Sequence, residues 1–202
     1  MRKLCVAVNG QKLLGRIDMI KRLVITGYKP YELRIFQENH PGIKYIKKAI
    51  RRELEKLLAE GLEWIITSGQ PGVEMWTVEV VFELQEKYPD LKYAILPPFL
   101  DQEKRWREHL QEKYHELLLH ADFHQPISNR PYEGPWQYRA RDKFLLRNSD
   151  ALLLVYDEEQ EGSPKFIKNL AEQYAKRKNY PIIMITSYDL QLLVEEEQFY
   201  DW

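Results

Sequence analysis

The stretch Ser68-Gly69-Gln70-Pro71-Gly72-Val73-Glu74 joins a short β-branched run to an apolar helical segment. Its residue types suit the holding of a small anionic ligand. Gly69 permits a sharp turn, and Gly72 lets backbone amides approach a ligand with no Cβ in the way. A helix that starts at Val73 offers unpaired N–H groups and a positive dipole end. The same residues also make an ordinary tight turn with a glycine N-cap. The pattern is neither a GxGxxG fingerprint nor a P-loop, which needs a Gly-Lys-Ser/Thr ending. Glu74, in the first helical turn, is favourable for the dipole. It would repel a phosphate at that terminus, so in a nucleotide site it fits ribose hydroxyls or a glycosidic bond better.

Three other loops carry candidates. In Thr26-Gly27-Tyr28-Lys29-Pro30, Lys29 has the charge to counter a phosphate and Tyr28 the ring to stack on a base, and both equally suit a surface. In Gly162-Ser163-Pro164-Lys165, Ser163 reads as an N-cap and Pro164 as a first helical residue, which by itself accounts for the motif. In Ser128-Asn129-Arg130-Pro131-Tyr132, Arg130 is either delivered to an anion or solvated. His120 and His124 have i,i+4 spacing but straddle a helix end and lack a ligand set, so no metal is expected. There is no GxSxG elbow. The single cysteine, Cys5, excludes an intrachain disulfide framework and fits a reducing compartment.

The elements that must position these loops alternate. Leu23 to Thr26, Trp64 to Thr67, Tyr93 to Leu96, Ala151 to Tyr156 and Ile182 to Ile185 are apolar or β-branched runs that read as strands, with a short one near Asp122 to His124. Helical spacing is read over Pro41 to Glu60, Val73 to Tyr88, Glu103 to His120, Gln137 to Asn148, Pro164 to Lys178 and Asp189 to Val194. Continuous apolar strands separated by helices predict a parallel sheet covered on both faces. The fold class is therefore α/β: one domain with a doubly wound, mainly parallel, Rossmann-like sheet and helices on both faces. Ligands in such sheets bind beyond the carboxyl ends of the strands. The Gly27, Gly69 and Asp157 loops are expected at that one edge.

The chain has 202 residues, and its 30 basic and 31 acidic side chains give a net charge of -1. That balance argues against broad binding to nucleic acid or anionic membranes. No apolar run approaches the roughly 20 residues of a membrane span, and the N-terminal apolar stretch is too short for a secretory signal. A cytoplasmic location is expected. Residues 1–18 lack a sustained period and read as a flexible extension, with an edge strand at Leu4 to Val8 as the other reading. Residues 19–202 form the ligand-binding domain.

From Met19 onward the chain resembles the YpsA family of Gram-positive bacteria. The stretches that carry the likeness include Ile25 to Pro30, Glu60 to Trp64, Ser68-Gly69-Gln70 with Gly72-Val73-Glu74, Tyr88 to Lys92, Arg130 to Glu133 and Glu161 to Lys165. The resemblance implies binding of a nucleotide derivative such as NAD or ADP-ribose, with Gly72 and Glu74 in the ligand positions. It also implies a growth role linked to cell division, with a division protein as partner. The related phosphoribohydrolases carry a PGGxGTxxE motif that is absent here. The leading expectation is therefore a non-catalytic nucleotide-binding regulator. Its site residues would be Thr26, Gly27, Tyr28, Lys29, Ser68, Gly69, Gln70, Gly72, Glu74, Arg130, Gly162 and Ser163. The alternatives are a nucleotide N-glycosidase using Glu74, and a DNA-binding accessory protein, which the charge balance disfavours.

Overall fold

The β-branched run Leu23-Val24-Ile25-Thr26 lies in the middle of the protein. In the computed structural model, which describes residues 19–200, it forms strand β1 (Arg22–Gly27). It is followed by α1 (Pro41–Ala59), β2 (Trp64–Thr67), α2 (Val73–Gln85), β3 (Lys92–Ile95) and α3 (Glu108–Leu119). Then come β4 (Phe123–His124), α4 (Trp136–Arg147), β5 (Ala151–Val155), α5 (Lys165–Ala175), β6 (Ile182–Ile185) and α6 (Ser187–Tyr200). The strands make one sheet in the order β4-β3-β2-β1-β5-β6, and every pairing is parallel. This is the doubly wound, Rossmann-like arrangement read from the sequence.

Strand alternation sorts the core into two layers. Leu23, Ile25, Ile65, Ala151, Leu153 and Val155 face the layer filled by α1, α2 and α3. Val24, Ile66, Leu152 and Leu154 face the other layer, with Leu145, Leu146, Ile167 and Ala171 of α4 and α5. Helix α2 is buried on nearly every side, Val73, Met75, Val78 and Val81 included, because α1, α3 and β1 all pack on it.

Two helices differ from the periodic reading. The expected helix from Glu103 to His120 is broken into a single 3-10 turn, Gln102–Arg105, and then α3. Trp106 between them takes an extended backbone, and its ring packs edge-on to Tyr114 at 5.3 Å. The last helix runs well past Val194. Glu195, Glu196 and Glu197 carry no apolar period. They stay helical because α6 lies along α1, with Leu193 buried and Glu196 paired with Arg52 at 3.2 Å. The extension expected over residues 1–18 lies outside the described residues. Among the described residues no helix is long and apolar enough to cross a membrane.

Candidate functional site

The chain moves outward from β1 to β4 and then returns to lay β5 against the other side of β1. The strand order reverses between β1 and β5, and such a reversal opens a crevice at the carboxyl edge. The Gly27, Gly69 and Asp157 loops all follow strands of this parallel sheet and so share that edge. A cavity of about 330 Å³ opens there. That is at the small end of the roughly 300–1,000 Å³ of small-molecule sites. Its walls come from the loops after β1 and β2, from one face of α4 and from the head of α5.

Glu74 forms part of the floor and is 5% exposed. Its Oε2 accepts from Ser68 N–H at 2.9 Å, Ser68 Oγ at 2.7 Å and Gln70 N–H at 3.0 Å, while Oε1 accepts from Thr26 Oγ1 at 2.6 Å. The carboxylate thus ties the ends of β1 and β2 to the first turn of α2. Gln102 fastens the same loop from outside, donating to Ser68 O at 2.7 Å and accepting from the Gln70 side chain.

The structure gives a different reason for glycine at position 72. Its φ is +98°, and a Cβ would lie 2.6 Å from Tyr28 O and 2.9 Å from Pro30 Cδ. The space is filled by the protein's own β1–α1 loop, and Val73 N–H donates to Tyr28 O at 3.2 Å. The head of α2 therefore serves the protein itself. Tyr28 is not placed as a base platform either. It is 3% exposed, tilts against Tyr156 at 5.5 Å, and its hydroxyl lies within hydrogen-bond reach of Asp157 O at 2.9 Å and of Gln160 O. Gly162 is the residue that lets the two loops meet, since a Cβ there would lie 2.6 Å from the Tyr28 ring.

Glu32, in the 3-10 turn Pro30–Leu33, stitches these loops further. It accepts from Lys29 N–H at 2.7 Å, Ser163 N–H at 2.6 Å and Ser163 Oγ at 3.0 Å. Ser163 is therefore not the expected helix cap. Its hydroxyl is spent on Glu32, and α5 begins at Lys165 after Pro164.

Helix α4 supplies residues that the sequence did not single out. Tyr138, Arg141 and Asp142 share one face and line the cavity, with Arg139 beside them. Arg141 donates through Nη1 to Ser68 Oγ at 2.9 Å, and through Nε and Nη2 to Asp142 Oδ1 at 2.9 and 2.6 Å. Its guanidinium lies 5.6 Å from the centre of the Tyr138 ring. Burial opposes the Arg141 charge, but Asp142 and Glu74 outweigh it and the pKa is raised. Burial also pushes the Asp142 carboxyl up, and Arg141 offsets only part of that.

Of the residues expected from the sequence, Thr26, Gly27, Lys29, Gln70, Glu74 and Ser163 line the cavity. Tyr28, Ser68, Gly69, Gly72 and Gly162 stand behind it as supports. Arg130 lies outside the lining, with its side chain 69% exposed and 3.5 Å from Glu133. Lys29 and Arg139 have no carboxylate partner among the described residues. Phe166, 66% exposed, adds an aromatic ring to the wall. Among the described residues no group of three or more His, Cys, Asp or Glu is placed to hold a metal ion.

Comparisons agree with the architecture. The family model named YpsA, described as the YspA SLOG family, matches residues 23–190. A UPF0398 protein of Lysinibacillus sphaericus is 53% identical over 179 residues, covering 89% of this chain and 100% of its own length. UPF0398 protein YpsA of Bacillus subtilis is 48% identical over 180 residues, with the same two coverages. DNA processing protein A of Helicobacter pylori, described for its single-stranded DNA binding mode, superposes with a TM-score of 0.53 at 14% identity. That match covers 92% of this chain and 83% of the other, and it speaks to the fold alone.

Proposed function

The chain belongs to the YpsA family of SLOG proteins, and we propose that it binds a nucleotide derivative of the NAD or ADP-ribose kind without turning it over. The observation that carries this reading is the cavity at the strand-order reversal, where Lys29 and Arg139 stand without carboxylate partners among the described residues beside a floor of buried polar groups. Two unpaired cations suit phosphate oxygens. Tyr138 and Phe166 give flat apolar surface for a base. Glu74 supports binding over hydrolysis, because protein donors already occupy both of its oxygens. A cytoplasmic regulatory role in bacterial growth, exercised through a cell-division partner, is the extension of this reading that the family suggests.

The test is a calorimetric and thermal-shift series with NAD, ADP-ribose, AMP and ribose 5-phosphate, and chromatography of the same mixtures. A ligand at 100 times its Kd should add about 2.7 kcal/mol of stability, or roughly 5–11 °C for a domain of this size. The nucleotides should be recovered intact. No shift with any of them overturns the reading. Release of free base that disappears in Glu74→Gln replaces it with the N-glycosidase.

A further inference from the structure

We propose that Asp142, rather than Glu74, is the carboxylate that reads the ligand, and that its Oδ2 accepts from the vicinal hydroxyls of a ribose. This inference rests on the nucleotide-binding reading and assigns the sugar subsite within it.

The two carboxylates on the floor are both 5% exposed, but they are differently occupied. Glu74 Oε2 already takes three donors and Oε1 takes Thr26. Asp142 spends only Oδ1, which receives both Nε and Nη2 of Arg141. Its Oδ2 has no hydrogen-bond partner among the described residues, although the residue lines the cavity. Asp142 Oδ2 is not one of the fully buried oxygens that lack a hydrogen bond among the described residues; it is reached from the cavity, where water can satisfy it. A ligand that displaces this water must return the hydrogen bond with a donor of its own.

The surrounding charge decides which donor fits. Lys29, Arg139 and Arg141 all line the same space. A cationic ligand group would meet them at short range. A neutral hydroxyl pair joined to an anionic phosphate is complementary to both features at once. Asp142 is also held for the task. Arg141 clamps Oδ1 and is itself fixed by Ser68 Oγ at 2.9 Å and by the Tyr138 ring. The carboxyl therefore presents Oδ2 without spending rotamer entropy on binding. Burial raises its pKa, and this burden lightens when hydroxyls donate to the ionised form.

The experiment compares AMP with 2′,3′-dideoxy-AMP by calorimetry on the wild-type protein and on Asp142→Asn, Asp142→Glu and Glu74→Gln. The wild type should prefer AMP by about tenfold or more, the worth of one hydrogen bond to a charged acceptor. In Asp142→Asn the carbonyl stays on Arg141 and an amide donor faces the cavity. The preference should fall to about threefold or less. Asp142→Glu keeps a countercharge for Arg141 while displacing the free oxygen, and the preference should fall there too. Melting temperatures establish that the variants are folded. A preference that survives in folded Asp142 variants, or that vanishes only in Glu74→Gln, overturns the inference. A wild type that binds ADP-ribose but treats AMP and its dideoxy form alike overturns it and leaves the nucleotide reading standing. A wild type that binds none of these nucleotides overturns both.

Discussion

Removing the Glu74 carboxylate separates a packing role from a dipole role. In Glu74→Ala the backbone N–H groups of Ser68 and Gln70 lose their acceptor, as do the hydroxyls of Thr26 and Ser68. The hydroxyls can rotate toward other partners. The two amides are fixed, and each buried donor left unsatisfied costs about 1–3 kcal/mol. Glu74 borders the cavity, so water can enter the vacated space and recover part of the loss. The net cost should be about 2–4 kcal/mol, a fall in melting temperature of roughly 4–16 °C for a domain of this size. If Glu74 served only the helix dipole, the cost would be about 0.3–1 kcal/mol. Equilibrium urea unfolding of both proteins in the absence of ligand measures the difference. A loss below about 1 kcal/mol would refute the view of Glu74 as the tie between the ends of β1 and β2.

Gly72→Ala should be strongly destabilising even without ligand, by about 2 kcal/mol or more, since it adds a Cβ against Tyr28 O at a positive φ; a native melting temperature would contradict the crowding at that turn. Lys29→Ala and Arg139→Ala should change stability by less than about 0.5 kcal/mol yet weaken ADP-ribose binding about tenfold each, measured by calorimetry on the same preparations. Asp150 takes hydrogen bonds from Lys21 N–H, Arg22 N–H and the Arg22 guanidinium, which outweigh burial and lower its pKa. Its contribution to stability is therefore full above the unfolded carboxyl pKa of about 3.9 and is lost as pH falls through the lower folded value. The gap in unfolding free energy between wild type and Asp150→Asn should accordingly narrow as pH falls below about 3.9, and a gap that stays constant as the pH is lowered from about 6 through that range would show that this carboxyl is not linked to folding.

Local patterns were enough to place the strands and most helices, because burial on a sheet leaves apolar runs such as Ala151 to Val155 and glycines at their ends. They also put Glu74, Lys29 and Ser163 at the carboxyl edge, where the cavity opens, since every parallel strand delivers its following loop there. What local pattern lacks is the order of strands. Tyr138, Arg141 and Asp142 sit in a helix whose sequence, Trp-Gln-Tyr-Arg-Ala-Arg-Asp, reads as a solvated face. Only the reversal between β1 and β5 brings α4 over the ends of β1 and β2 and turns that face inward. Tyr28 and Gly72 were legible as special residues but not in their roles, because each answers to a loop distant in sequence. Arg130 shows the opposite case. Gln137, fully buried, fastens its loop through Glu133 N–H at 2.7 Å and Pro131 O at 2.9 Å, and the Arg130 side chain remains outside the cavity.

The Glu32 carboxylate receives the Ser163 N–H from 131 positions further along the chain. Pairing of β5 with β1, from Leu23 with Ala151 to Gly27 with Val155, spans that separation and leaves only short segments for the Glu32–Ser163 contact to close. The cavity wall at Ser163 and Pro164 is therefore complete only when β5 and the segment after it have joined β1. On the ribosome, a nascent chain that has not yet reached α5 lacks that wall, however well its first four strands have paired. Under the proposed function, ligand binding would mark the completed polypeptide, and nucleotide present during synthesis would stabilise finished molecules without rescuing partial ones.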